Sequence, residues 1–114
     1  MGTFQQSAHY IDNVTLNRRH MTVQGWLAND NSMVKPYAYA ILLQNGQEIG
    51  RQRLNLSERD DVAKVYPQIY RSQYSGFSAG FDLPTFSTKG LQLVLRFTDD
   101  PVGNGNSSDT WINL

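Results

Sequence analysis

KPYAYAILLQNGQEIGRQRLNL, residues 35–56, decides the fold class. Asn45-Gly46 separates two runs of strand-forming residues. Both residues tolerate positive φ, which makes the pair the preferred dipeptide of a type I′ hairpin turn. The arm before the turn is apolar on both faces. Tyr37, Tyr39, Ile41 and Leu43 point one way, and Ala38, Ala40 and Leu42 the other. A strand that is apolar on both sides belongs in the middle of a sheet. Either of its faces could meet the core.

Reading outward, the same period of two recurs. Residues 14–27 hold two short alternations around the polar break Asn17-Arg18-Arg19-His20, with Met21, Val23 and Gly25 on one face. Residues 28–32, ANDNS, form a turn cluster. Downstream, Phe77, Ala79, Phe81 and Leu83 share a face, and so do Leu91, Leu93, Leu95 and Phe97. Such runs are half-buried antiparallel strands. TWINL, residues 110–114, is expected to be the last strand. Between the hairpin and Gly76 the texture changes. Ser57 with Asp60 fits a short capping box, and residues 61–66 can form one or two helical turns before Pro67 stops them. Val62, Val65 and Ile69 are expected to seat this crossover on a sheet, with Asp60 and Asp61 capping it. Many short strands and one short helix predict an all-β fold, an antiparallel β-sandwich of Ig-like or jelly-roll type with one helical crossover.

A chain of 114 residues makes one domain. Residues 1–7 read as a linker or as residues added for expression, and residues 8–114 as a single sandwich excised from a larger protein. Ten basic and ten acidic residues cancel, which argues against nucleic acid and against an anionic membrane surface as partners. Mean hydropathy is −0.48, and no apolar run approaches the length of a membrane-spanning helix. The first ten residues lack the basic and apolar regions of a signal peptide. The absence of cysteine excludes disulfides, thiolate zinc sites and Cys nucleophiles.

RFTDDPVGNGNSSDTW, residues 96–111, concentrates the polar chemistry. An EF-hand needs oxygen ligands at fixed positions and a distal Glu. Pro101 and Gly103 occupy ligand positions here and no Glu follows. Asp99, Asp100 and Asp109 stay as weak calcium candidates, and no other cofactor is expected. His9 and His20 lack the neighbours of a zinc site. Of the two glutamates, Glu48 reads as a solvated strand end and Glu58 as part of a helix N-terminus. No G-x-S-x-G elbow occurs. The expectation is a domain without catalytic residues. The loop then reads as turn chemistry, with Asp and Asn bonding their own backbone and Gly supplying positive φ.

Six tyrosines and two tryptophans are the remaining signal. Sugars pack their C–H faces on aromatic rings while their hydroxyls find amides and carboxylates. Tyr37, Tyr66, Tyr70, Tyr74 and Trp111, with Asn104 and Asn106, are the glycan-binding candidates. Tyr70 and Tyr74 lie in a polar stretch and are expected to be exposed. Trp26 and Trp111 are expected in the core or at its edge.

The order GWLAND, KPYAYAILL, GQEIGRQ, RDDVAKVYPQIYRSQYSGFSAGFDL and LRFTDDPVGNGNSSDTWIN resembles an accessory domain of lactic-acid-bacterial surface and secreted proteins. That domain occurs beside muramidase-type glycosyl hydrolases and autolysins. The matching positions are Gly25-Trp26, Lys35-Pro36-Tyr37, 46–52, 59–70, Ser75-Gly76-Phe77 and 103–111. The chain ends at Leu114, where relatives continue a residue or two further. The resemblance covers about residues 8–114. It implies an extracellular, cell-wall-associated module whose partners are cell-wall polysaccharide or peptidoglycan and the neighbouring domains of its own chain. The catalytic residues of such hydrolases lie in a separate domain, so none carries over. The alternative is a structural spacer or protein-interaction domain without a sugar ligand.

Overall fold

Asn45 and Gly46 turn the chain with φ of 52° and 82°, and the hairpin they close is half of one sheet of a two-sheet sandwich. The computed structural model describes residues 6–114. The strands are β1 (Ser7–Asn17), β2 (His20–Asn29), β3 (Tyr37–Gln44), β4 (Gln47–Leu54), β5 (Gly76–Asp82), β6 (Leu91–Thr98) and β7 (Ser107–Asn113). One helix, α1 (Asp60–Val65), and two 3₁₀ turns, Asp30–Met33 and Ser72–Tyr74, complete the elements. The sheets run β1-β2-β5 and β4-β3-β6-β7, with every pairing antiparallel. The all-β sandwich and its single short crossover helix are therefore as the sequence predicts. Among the described residues no helix is long and apolar enough to cross a membrane.

The core lies between the sheets. Met21, Val23 and Leu27 of β2 and Phe77, Ala79 and Phe81 of β5 meet Ala38, Ala40 and Leu42 of β3 and Leu91, Leu93, Leu95 and Phe97 of β6. The small-residue face of β3 is thus the inner one, where alanines leave room for the phenylalanines and leucines packed opposite. Tyr39 and Ile41 point outward instead. With Val94 they form a second buried cluster on the outer face of the four-stranded sheet. The 99–106 segment covers the Tyr39 end of that cluster. The Tyr39 hydroxyl donates to the Pro101 carbonyl, and a Cβ on Gly103 would stand 3.1 Å from the Tyr39 ring.

Five local expectations change. Ser57 does not cap α1; its backbone pairs with Gly76 in an isolated bridge, and Arg59 holds the cap position without a side-chain cap bond. Val65 is 67% exposed while Val62 and Ile69 are buried. One helical turn on from Val62, the inward place goes to Tyr66, which packs on Trp26 at 5.5 Å between ring centroids. Gln6 and Ser7, assigned to a linker from sequence, belong to the sandwich edge: Ser7 pairs with Asn29, and Gln6 exchanges hydrogen bonds with Asp30. Trp111 is 59% exposed on β7 rather than at the core edge. Its partner Val94 sits on the outer face, and paired residues share a face. The last strand also starts at Ser107, earlier than residue 110.

Candidate functional site

The crossover between β4 and β5 builds the rim of a cleft at one end of the sandwich. Past Tyr66 the chain tightens through successive i→i+3 bonds, Ile69 N to Tyr66 O, Ser72 N to Ile69 O and Tyr74 N to Arg71 O. Arg71 sits at φ 55°, the left-handed conformation that reverses the chain between these turns. Ile69 and Ser72 point into the fold and anchor the segment, which leaves Tyr70, Arg71 and Tyr74 outward. Asp30 fixes its position. One carboxylate oxygen accepts from Tyr70 N at 2.9 Å, and the other accepts from Gln6 N at 2.9 Å. Leu27 N donates to Ser75 O, tying the far side of the crossover to β2.

The cleft measures about 240 Å³. Leu27, Ala28, Leu54 and Phe97 form its apolar floor, and Tyr37, Tyr70 and Tyr74 stand around it. The structure therefore brings together three of the five expected aromatics from two separate segments. Tyr70 and Tyr74 are each 37% exposed, as their polar sequence context predicts. Two cations complete the rim. The Arg53 guanidinium lies 5.0 Å from the Tyr37 ring centroid and that of Arg71 5.4 Å from Tyr74. Asn55 and Ser32 add uncharged polar groups.

A second, shallower groove of about 510 Å³ adjoins the first and shares Arg53 and Asn55 with it. Its lining places Gln24, Gln52, Ser57 and Ser78 beside the Asp12–Arg59 ion pair. Arg59 also grips Asp61 through two bonds of 2.9 and 2.8 Å. That guanidinium holds the Asp61 carboxyl down to about 2, and the same pair raises Arg59 above its ordinary value.

The other expected site residues lie elsewhere. Tyr66 is engaged with Trp26. Trp111 is on the outer face of β7, and Asn104 and Asn106 are in the 99–106 segment. That segment is held by its own chemistry. Arg51 Nη1 donates to the Asn104 side-chain oxygen at 2.8 Å and to the Gly103 carbonyl at 3.3 Å, while its other nitrogens bind Glu48. Arg96 forms a two-pronged pair with Asp109 at 2.8 and 2.9 Å and donates to the Gly103 carbonyl at 2.9 Å. Asp109 correspondingly raises Arg96 above its ordinary value. Asp100 accepts from Val102 N and Asn104 N, and Asp99 accepts from the Asn106 side chain. The three calcium candidates thus have three different sets of partners. Among the described residues no three His, Asp or Glu side chains gather as a metal-binding group.

Arg53, Arg71 and Asn55 line the cleft and are absent from the candidates drawn from sequence. The Arg53–Tyr37 pair leaves no local pattern because its members come from two strands, whereas Arg71 lies three residues before Tyr74 in one segment. The surface can stack a ring, donate from cations and amides, and bury a small apolar face. A scan of protein-family models and searches of curated proteins and solved structures find no match to this chain.

Proposed function

We propose that this domain is a non-catalytic accessory module of an extracellular, wall-associated protein, and that it binds cell-wall glycan in the crossover cleft. The observation that carries the reading is the convergence of Tyr37, Tyr70 and Tyr74 around one apolar-floored cavity, with Asn55, Arg53 and Arg71 on its rim. Aromatic faces with a few placed polar groups are the usual chemistry of sugar recognition. The volume is below the roughly 300 Å³ at which drug-sized sites begin. It suits one sugar unit or a chain end, and the adjoining groove offers the path for the units that follow. The resemblance to domains found beside wall hydrolases supports the same reading.

The test is co-sedimentation of the domain with purified wall sacculi, before and after removal of teichoic acid and accessory polysaccharide. Pelleting that survives stripping identifies peptidoglycan as the ligand. Pelleting lost on stripping identifies the accessory polymer. A folded sample that never pellets sinks the proposal. The spacer or protein-interaction reading would then lead, and one observation favours it: edge strand β1 exposes Tyr10, Val14 and Leu16 at 61%, 44% and 48%. An apolar edge of this kind suits docking against a neighbouring domain.

A further inference from the structure

We infer that the unit bound in the crossover cleft is anionic: a sugar carrying a carboxylate or phosphate substituent, clamped between Arg53 and Arg71. The inference rests on the glycan-binding reading and adds the charge of the ligand. Three observations support it. First, the cleft lining contains two arginines and no Asp or Glu. Second, among the described residues the arginine ion pairs involve Arg51, Arg59 and Arg96 but neither Arg53 nor Arg71. The chain as a whole is balanced at ten basic and ten acidic residues, so two uncompensated cations on one small cleft are a local excess. Third, each of these guanidiniums lies over a ring of the same rim, Tyr37 and Tyr74 respectively. A cation–π contact at these distances favours this placement of the guanidinium while leaving its N–H groups free to donate, so less ordering is needed when an anion arrives. A guanidinium fork matches carboxylate and phosphate oxygens in pairs, which hydroxyl groups do not reproduce.

Asp30 bonds the rim backbone beside Arg71. Its two oxygens accept from Tyr70 N and Gln6 N. It keeps its charge behind the rim, but it forms no ion pair with Arg53 or Arg71 and leaves both guanidiniums open to a ligand.

Titration calorimetry of the folded domain tests the inference with three probes of similar length: a neutral N-acetylglucosamine oligomer, a peptide-free glycan strand bearing lactyl carboxylates, and a glycerol-phosphate oligomer. At low salt, at least one acidic probe should bind about tenfold or more tightly than the neutral one, the size expected for charge-assisted bonds. The preference should shrink as salt rises. Tightest binding of the carboxylate probe names the glycan strand as the source, and tightest binding of the phosphate probe names the accessory polymer. Arg53→Gln with Arg71→Gln should remove the preference while leaving the weaker neutral binding, and the Lys pair should restore part of it. A thermal melt checks that each variant is folded. Equal affinity for neutral and acidic probes, unchanged in the Gln pair, overturns the anionic clamp but leaves glycan binding standing. Failure of all three probes to bind overturns both.

Discussion

The 99–106 segment and the crossover cleft draw on the same residue types: arginines, tyrosines, asparagines and a chain reversal at positive φ. In the segment every one of these groups faces a partner from its own chain. Arg51 and Arg96 are neutralised by Glu48 and Asp109 and spend their remaining donors on loop carbonyls and Asn104. Tyr39 is buried with its hydroxyl bonded. In the cleft the same chemistry is left open. Arg53 and Arg71 lie on rings, and Tyr70 and Tyr74 are partly in solvent. What separates a residue that builds the fold from one that can meet a ligand is therefore its partners, and composition is silent on that. The most conspicuous polar stretch of the sequence is a strap, and the proposed binding chemistry lies on two quieter segments.

The sharpest way to break this contrast is to cut one arginine in each region. Arg96→Ala leaves the half-buried Asp109 without its partner and the Gly103 carbonyl with only the longer Arg51 bond, and should cost about 2–3 kcal/mol of unfolding free energy in urea. Arg53→Ala should change stability by no more than about 0.5 kcal/mol, as for an exposed site. Equal losses would erase the distinction. Next in size, Tyr70→Ala with Tyr74→Ala should weaken sacculus binding by about 2 kcal/mol, roughly thirtyfold, because stacked aromatics dominate such contacts. The melting temperature should barely move. Loss of stability instead of binding would assign both rings to the fold.

Legibility from sequence follows the same division. The sandwich was readable because period-two patterns such as Leu91–Leu93–Leu95–Phe97 and the Asn45-Gly46 turn each impose a local geometry. The cleft was only half readable. Tyr37, Tyr70 and Tyr74 stand out as aromatics, but Arg53 does not, for a physical reason. A plain two-residue hairpin at Asn45-Gly46 would pair Ala38 with Arg53 and direct both to the core. The bulge between Leu42 and Leu43 shifts the register by one, so Ala38 meets Leu54 and Arg53 meets Tyr39 on the outer face. A single extra residue in β4 turns the arginines outward, and no residue type in QEIGRQR announces it. Trp111 was misplaced for a related reason. TWINL gives five residues with no partner strand, so nothing in it says which face looks in.

Smaller effects sharpen the account of each region. Gly103→Ala forces an L side chain to φ 88° and puts its Cβ 2.9 Å from the Arg51 guanidinium. It should cost about 1–2 kcal/mol in urea unfolding, with sacculus binding unchanged. Loss of binding would bring the strap into the site. The smallest effect concerns the crossover. Asp61 titrates at about 2 in the folded domain because Arg59 favours its charged form. Its folded value lies below the unfolded one, so its contribution is present above the ordinary carboxylate range of about 4 and is lost as pH falls from there to about 2. Asp61→Asn should therefore flatten this acid limb of stability. An unchanged limb would show that the Arg59 pair does not hold the crossover.

The central claim is that ligand contact falls on the crossover cleft and not on the 99–106 strap or the exposed Trp111. Amide and side-chain NMR shift mapping during titration with a soluble peptide-free glycan fragment tests it most directly. The account expects perturbations centred on Tyr37, Arg53, Asn55, Tyr70, Arg71 and Tyr74, with residues 99–106 and Trp111 unmoved. Perturbations centred on Trp111, Asn104 and Asn106, with the cleft silent, would contradict it.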